Sequence, residues 1–206
     1  MIQSSERAFR AANQTLLRAA SSPPRTAANA VLSGILMIIE LKAESQLSEP
    51  ERLGLARLSA EAFPPDGTDM HWSKSDWHVL VWEGDEIVSH VEIVDRMAMA
   101  GGIPVRLGGI GGVSTLKAWR KHGLAEAALK VAGEHLRQPL AVDFGLLICG
   151  EALVHYYNKF GWKLTAKQMW IEQPKGRVLF DALIMILPVC KTEWPRGEID
   201  LCGRPW

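Results

Sequence analysis

The sequence predicts an α/β fold, more narrowly α+β, in which a mixed, mostly antiparallel sheet of about six to seven strands is flanked by helices. Three observations predict it. Apolar segments of strand length follow one another between glycine turns in residues 78–115. Leu124, Ala128 and Val131 then recur at helical spacing. A further apolar strand and a second helix come after them.

Composition narrows the function classes. The chain has 206 residues, enough for one domain with a full core, and its formal net charge of 0 argues against a dedicated nucleic-acid binder. Its 3 cysteines lack C-x-x-C spacing, and its 6 histidines form no His-x-x-x-His pair. No apolar run reaches the ~18 residues of a membrane span. We therefore expect a cytoplasmic protein with no metal, no nucleic-acid partner and no membrane partner.

The first 30 residues differ in character from the rest. They carry four arginines against one acid, Glu6, among many alanines and serines, a bias that resembles an organelle transit peptide. A loosely ordered leader is the alternative, as is a start codon assigned too early, with Met37 as the true start. We expect residues 1–30 to be a leader and residues 31–206 to be a single domain.

The first half of the domain has these predicted elements. Residues 35–43 are rich in isoleucine and predict a strand. Ser48 then predicts the N-cap of a helix that ends at Pro64. A polar and aromatic loop, residues 64–77, follows. Residues 78–82, residues 87–97 and a segment from residue 103 form an antiparallel meander with turns at residues 83–86 and 101–102.

The second half begins with a helix over residues 125–136 and an apolar strand over residues 141–149. A helix over residues 151–160 is closed by Gly161 at its C-terminus. Residues 162–172 and 179–189 predict the last two strands, and a polar tail follows from Cys190.

The turn Arg120-Lys121-His122-Gly123-Leu124-Ala125 has the chemistry of a diphosphate site. The first N–H groups of a helix lack internal partners and carry the positive end of its dipole. Gly123 lets a ligand approach the backbone, and Arg120 and Lys121 add charge. Neither a mononucleotide P-loop nor a dinucleotide fingerprint matches this turn.

The spacing Arg-x-x-Gly-x-Ala resembles the acetyl-CoA pyrophosphate loop of the GCN5-related N-acetyltransferases (GNAT), which follows their fourth strand. Residues 157–162, Tyr-Asn-Lys-Phe-Gly-Trp, resemble the Tyr-x-x-x-Gly-Phe/Trp motif that follows the fifth strand of the same family. The resemblance covers residues 35–188 and implies the GNAT fold, with acetyl-CoA as cosubstrate.

Within that superfamily, residues 62–72, 78–90, 119–120, 157–162 and 186–188 resemble aminoglycoside 2′-N-acetyltransferases. The tail, residues 193–200, is similar to the end of nodulation N-acyltransferases. The family likeness implies that Tyr157 donates a proton to departing CoA thiolate and that an N–H near Val113 polarises the thioester carbonyl. It implies these cosubstrate-binding residues: Val113, Ser114, Thr115, Arg120, Lys121, His122, Gly123, Leu124, Ala125 and Asn158.

The general base is the point at which this sequence departs from its relatives. The aminoglycoside enzymes carry a glutamate on the fourth strand, and Gly111 occupies that position here. Glu92 and His90 on the third predicted strand are the candidate replacements, with Asp95 on the opposite face. An amine that arrives already unprotonated would need no base.

Acceptor binding is predicted for Asp69 and Trp72 in the loop and for Glu198 and Asp200 in the tail, because acids suit a cationic amine. Solvated tail acids are the alternative interpretation. We expect a small-molecule amine as partner and allow for a homodimer.

Three functions remain open. The first is acetyl transfer from acetyl-CoA to a primary amine of a small molecule, of aminoglycoside-like type. The second is transfer of a longer acyl chain, for which the glycines at 108, 109, 111 and 112 would leave room. The third is a non-catalytic acetyl-CoA sensor.

Overall fold

The computed structural model of the protein describes residues 26–32, 35–65 and 67–206. Most of the predicted leader, residues 1–25, lies outside them. Eleven strands are assigned in the described ranges: β1 (Thr26–Leu32), β2 (Ile35–Ala43), β3 (Trp77–Glu83), β4 (Glu86–Ala100), β5 (Ile103–Thr115), β6 (Phe144–Cys149), β7 (Lys163–Thr165), β8 (Met169–Gln173), β9 (Gly176–Phe180), β10 (Leu183–Pro188) and β11 (Ile199–Asp200). The helices are α1 (Glu49–Ala62), α2 (Leu124–Arg137) and α3 (Glu151–Asn158), with short 3₁₀ turns at Glu44–Gln46 and Lys117–Trp119.

The predicted class is confirmed: one mixed, mostly antiparallel sheet runs in the order β1-β2-β3-β4-β5-β6-β10-β7. Within it β5 and β6 are parallel neighbours, joined by the crossover through α2. The predicted number of strands was too small. Residues 162–172 form two short strands, β7 and β8, and the apolar pattern does not mark β9, which is mostly exposed, or β11, which has two residues. β1 is one further strand.

The helices form for the reasons that the sequence suggested. Ser48 precedes α1, and its backbone N–H donates to Glu51 Oε2 at 2.7 Å, which is one half of a capping box. In α2 the buried positions Leu124, Ala128, Ala132 and Leu136 recur every four residues, so one stripe of the helix faces the sheet.

Two apolar clusters build the core around this sheet. The larger includes residues of β3, β4, α1 and α2, among them Val79, Val91 and Leu136. The smaller packs β5, β6 and β10 against β8 and the tail, and it ends with Trp206. Among the described residues, none of the helices combines the length and apolar character that a membrane crossing requires.

The glycines of β5 do not leave open space, contrary to our expectation. A Cβ atom on Gly108 would lie 2.2 Å from Leu136 Cδ2, and one on Gly109 would lie 2.2 Å from Trp206 Cε2. These side chains fill the room that the sequence analysis assigned to a longer acyl chain.

We predict that Gly109→Ala destabilises the fold by about 1–3 kcal/mol, because the added methyl group must displace the Trp206 ring. Gly133→Ala is the matched control, since a Cβ there meets nothing within 4 Å. It should stabilise α2 by about 1 kcal/mol through helix propensity. Urea unfolding of both variants measures the difference, and equal midpoints would contradict this packing.

A second prediction concerns His135, which is 3% exposed on α2 and stacks edge-on against Trp77 with ring centroids 5.0 Å apart. Burial lowers its pKa from 6.5 to about 4. The unfolded chain therefore binds this proton more readily between those pH values, and stability falls as the pH drops through the window. His135→Leu should remove on the order of 1 kcal/mol of this loss.

Chemical unfolding of His135→Leu and wild type at pH 7.5 and pH 5 checks this. The stability gain of the variant should be larger at pH 5. An identical gain at both pH values would show that His135 does not titrate as stated.

Candidate active site

The site begins where β5 and β6 separate. They pair in parallel from Leu107 with Phe144 to Ile110 with Leu147, and β5 then continues to Thr115 without β6. Gly112 adopts a left-handed φ of 55°, and the pairing with β4 shifts register between His90 and Glu92. The two parallel strands are consequently parted beyond Ile110.

The backbone of residues 113–115 lines this opening. On one side Ser114 pairs with His90 and Thr115 with Ser89 of β4. Within the described chain no strand pairs with their other side. The Ser114 hydroxyl is buried and has no hydrogen-bond partner among the described residues. An extended molecule lying in the opening could use both the backbone groups and this hydroxyl.

The predicted diphosphate turn is open. Lys121 and Gly123 adopt φ of 67° and 81°, and α2 starts at Leu124 without a side-chain cap. A Cβ atom on Gly123 would meet nothing within 4 Å. Arg120 Nε donates to Thr115 O at 3.2 Å, which holds that exposed side chain across the turn. The amide groups at the start of α2 therefore remain available to an anion.

The other residues of the turn divide by exposure. Lys121 is exposed, Ala125 is half-buried and Leu124 belongs to the core. The His122 ring lies edge-on to Trp119, and its buried Nδ1 has no partner within the described residues.

Tyr157 lies on α3, which directly follows β6. It is 5% exposed and contacts Tyr156 edge-on, with ring centroids 5.2 Å apart. Burial, and then its interactions with Cys149 and Tyr156, raise the pKa of its phenol well above 10. Asn158, the last residue of α3, is exposed, and its carbonyl accepts from Gly161 N–H at 3.1 Å. Tyr157 is thus a protonated phenol close to the Cys149 end of β6.

Glu92 of β4 lies directly opposite Gly111 of β5, the position at which the glutamate of the aminoglycoside enzymes was expected. It pairs with Gly111 in the β4–β5 ladder. A Cβ atom on Gly111 would be 3.8 Å from Glu92 Oε2, and one on Gly112 would be 2.8 Å from Oε1. The carboxylate that β5 lacks is therefore supplied at the same place by β4.

His90 shares a face with Glu92 and belongs to a larger polar network. His90 Nε2 is 2.9 Å from His78 Nδ1, and His78 Nε2 is 2.6 Å from Glu44 Oε2. Both imidazoles are at most 5% exposed. Neither His78 nor Glu44 was predicted as a site residue. His78 directly precedes the apolar residues Val79 and Leu80 of a neighbouring strand, and no local pattern marks Glu44.

By residue type, His78, His90 and Glu92 could also hold a metal ion, since one donor atom from each lies within 4.8 Å of the others. The two imidazole nitrogens instead satisfy each other directly. The arrangement is that of a hydrogen-bonded chain.

The loop residues Asp69 and Trp72 stand apart from this network. The Asp69 side chain is almost fully exposed, 3.8 Å from His71 Nε2. Trp72 lies edge-on to Phe180 of β9. The loop is nevertheless tied to the tail, because Ser73 N–H donates to Pro205 O at 2.7 Å. Acceptor binding by Asp69 and Trp72 stays a prediction.

Glu198 and Asp200 already have partners in the chain. Glu198 Oε2 accepts from Trp170 Nε1 at 2.9 Å, and Asp200 Oδ2 is 2.8 Å from the Arg177 guanidinium. Asp200 pairs with Met99, seven residues along β4 from Glu92 and roughly 23 Å away. The structure does not bring these acids to Glu92, so their predicted role as acceptor ligands gains no support.

Trp206 is the tail residue that does reach the opening. Its backbone carbonyl carbon would lie 3.2 Å from a Cβ on Gly111, and Arg96 lies 5.3 Å from its ring centroid. Its indole N–H donates to Leu146 O at 3.3 Å. Nothing local in the sequence indicates which part of the sheet Trp206 covers.

A separate cavity of about 500 Å³ lies between α1 and the β3–β4 hairpin, lined by Gly54, Trp82, Glu86 and Leu116 among others. It contains none of the predicted catalytic residues. We assign neither substrate to it.

Comparison with known proteins gives the family. The family model for the acetyltransferase (GNAT) domain matches residues 45–165, more than half of the chain. An aminoglycoside 2′-N-acetyltransferase of Mycolicibacterium fortuitum is 27% identical over 148 residues, which cover 71% of this chain and 75% of that protein.

Solved structures show the same fold at low sequence identity. The GNAT family N-acetyltransferase YhbS of Escherichia coli, in complex with CoA, aligns with a TM-score of 0.56 at 13% identity over 88% of this chain and 92% of its own. A GNAT family acetyltransferase of Brucella melitensis, in complex with acetyl-CoA, aligns at 0.54 and 15% identity over 78% and 94%. The match of the family model, on a sheet that opens beside an uncapped helix, shows that the chain belongs to the GNAT acetyltransferases and is an acyltransferase of the N-acetyltransferase type.

Proposed function

We propose that the protein transfers an acetyl group from acetyl-CoA to a primary amine of a small molecule, of aminoglycoside-like type, by direct attack on the thioester. The observation that carries the proposal is the position of the Glu92 carboxylate against Gly111 and Gly112, where β5 leaves β6. It provides a base at the place where the reacting carbon of a thioester in the opening would lie.

The cosubstrate follows the strand and the turn. The backbone of residues 113–115, which pairs with no strand on the side of β6 in the described chain, and the Ser114 hydroxyl suit the amide groups of a pantetheine arm. The uncapped start of α2, with Arg120 and Lys121 exposed beside it, suits the diphosphate. The two similar structures, from Brucella melitensis and Escherichia coli, were solved in complex with acetyl-CoA and CoA respectively, which supports this assignment.

In the reaction the amine nitrogen forms a bond to the carbonyl carbon while the carbon–sulfur bond breaks. The Val113 N–H polarises the carbonyl oxygen as negative charge develops on it. Glu92 takes the proton that the nitrogen loses, and Tyr157 gives its phenolic proton to the CoA thiolate.

The raised pKa of Tyr157 sets a condition on that last step. A free phenol (pKa ~10) is a weaker acid than a thiol (~8.5), so donation to a thiolate in water is unfavourable. Burial also raises the pKa of the Cys149 thiol, at the same end of β6. A CoA thiolate that forms in the same surroundings is destabilised as well, so the pKa of its thiol is also raised. The difference in pKa between the phenol and the thiol is therefore smaller than burial of Tyr157 alone would make it.

The two competing functions, transfer of a longer acyl chain and a non-catalytic sensor, have less support. Leu136, Trp206 and Glu92 fill the space beside the glycines of β5, so no observation favours a longer acyl chain. The Glu92 carboxylate beside β5 and the phenol of Tyr157 near the Cys149 end of β6 count against a sensor without catalysis.

We predict that wild type acetylates at least one member of a panel of aminoglycosides, polyamines and amino acids when supplied with acetyl-CoA. Mass spectrometry detects the product and thiol release gives the rate; octanoyl-CoA in place of acetyl-CoA tests donor length. Calorimetry that shows acetyl-CoA binding without turnover of any amine would favour the sensor, and absence of binding would refute the proposal.

For the amine that is acetylated best, Glu92→Gln should lower kcat by about 10²-fold or more without weakening acetyl-CoA binding. The exposed control Glu134→Gln should leave kcat unchanged.

We further predict that Tyr157→Phe lowers kcat by about 10²-fold while the Kd for acetyl-CoA stays within about twofold, because only the proton donor is lost. Tyr156→Phe is the matched control, since it removes a hydroxyl from the adjacent, half-buried ring. Steady-state rates and isothermal calorimetry provide the two readouts. Equal rates for the two variants would remove Tyr157 from the chemistry.

A further inference from the structure

Four side chains form a polar path from the proposed site to the surface. One donor or acceptor atom each of Glu92, His90 and His78 lies within 4.8 Å of the others, and His78 continues to Glu44. The imidazoles are buried, whereas the Glu44 side chain is 36% exposed. The path thus joins a carboxylate at the substrate opening to one in contact with solvent.

While His78 is neutral, the hydrogen bonds fix the tautomers of both imidazoles. An ionised Glu44 can only accept, so His78 donates from Nε2 and its neutral ring has a bare Nδ1. That Nδ1 must then accept from His90 Nε2–H, which leaves the lone pair of His90 on Nδ1. Burial opposes ionisation of Glu44, but hydrogen bonds from Arg52 and His78 outweigh it and keep its pKa below the ordinary value.

His90 is poorly suited to holding a proton. Burial, followed by repulsion from His78 when that ring is charged, lowers the pKa of His90 to about 3. A proton that reaches His90 is therefore passed on to His78 rather than kept.

Resting on the function proposed above, we propose that His90 and His78 relay the amine proton from Glu92 to Glu44 and so regenerate the base. Protonated Glu92, one of whose carboxylate oxygens lies within 4.8 Å of a ring nitrogen of His90, gives its proton to His90 Nδ1 through one bridging water. His90 Nε2–H passes to His78 Nδ1, and His78 Nε2–H passes to Glu44, which releases it to solvent. Both rings end neutral with exchanged tautomers, and each returns to its first tautomer by rotation of the ring, which exchanges the positions of its two nitrogens.

The charged groups around the pair do not offer another exit. Lys42 on β2 stands opposite His78, but its ammonium group is held by Glu51 and Glu40. Arg52 on α1 pairs with Glu44 and cannot accept a proton. Asp76, just before β3, receives the backbone N–H of Asp95 at 2.8 Å. Glu44 is consequently the one carboxylate hydrogen-bonded to His78 in the described structure.

The test uses Glu44→Gln, which keeps an oxygen that accepts from His78 but cannot take up the proton. At pH 7 we expect kcat for the best amine of the panel to fall about tenfold with an unchanged KM for acetyl-CoA. The deficit should shrink to within about twofold near pH 9.5, where the amine arrives unprotonated. Glu49→Gln is the control, because it removes an exposed charge of the same sign from the start of α1.

A purely structural role of Glu44 predicts a loss that does not vary with pH, and that result would overturn the relay. ¹⁵N spectra of the histidine rings give an activity-independent readout in the resting protein. Protons on Nε2 of both His78 and His90 support the path, while a proton on His90 Nδ1 refutes it. If wild type acetylates no amine, the proposed function fails together with the relay; if it does and Glu44→Gln matches it at pH 7, the relay alone fails.

Discussion

The whole arrangement depends on the limited pairing between β5 and β6. Only four residues of each strand share the parallel ladder, whereas β5 pairs with β4 almost to its end. Unpaired backbone groups are costly when they are buried without a partner. A strand edge held open in the middle of a sheet therefore offers hydrogen-bonding groups to a ligand, and the turn that follows it adds the amide groups at the start of α2.

The carboxylate of Glu92, the base proposed above, shows that the position of the oxygen atoms matters more than the residue number that supplies them. A base acts from where its oxygen atoms lie, and two adjacent antiparallel strands present side chains to the same place. Gly111 would have left the opening without a base, but its cross-strand neighbour Glu92 occupies the space above Gly111 and Gly112. The bare Cα positions on β5 are in turn required, because any side chain at Gly112 would collide with this carboxylate.

Local patterns predicted the parts of the molecule that local physics determines. The limits of α2, the cap of α1 and the open turn at Gly123 follow from periodicity and backbone chemistry within a few residues. Short strands such as β9 and β11 form only because distant segments lie beside them. The same reason hid the network: His78 and Glu44 are separated by 34 residues and meet through the pairing of β2 with β3.

The buried histidines also bear on why such a network exists in this position. Two imidazoles in the interior of a sheet lose hydration, and apolar residues of similar volume would pack there at lower cost. Their mutual hydrogen bond and the bond to Glu44 offset that loss without adding apolar contact. The sheet carries this cost on the face and at the level where Glu92 stands, and α1 and the tail cover the same face on either side of it. A polar path at that one level connects the opening to solvent while the apolar cover around it stays intact.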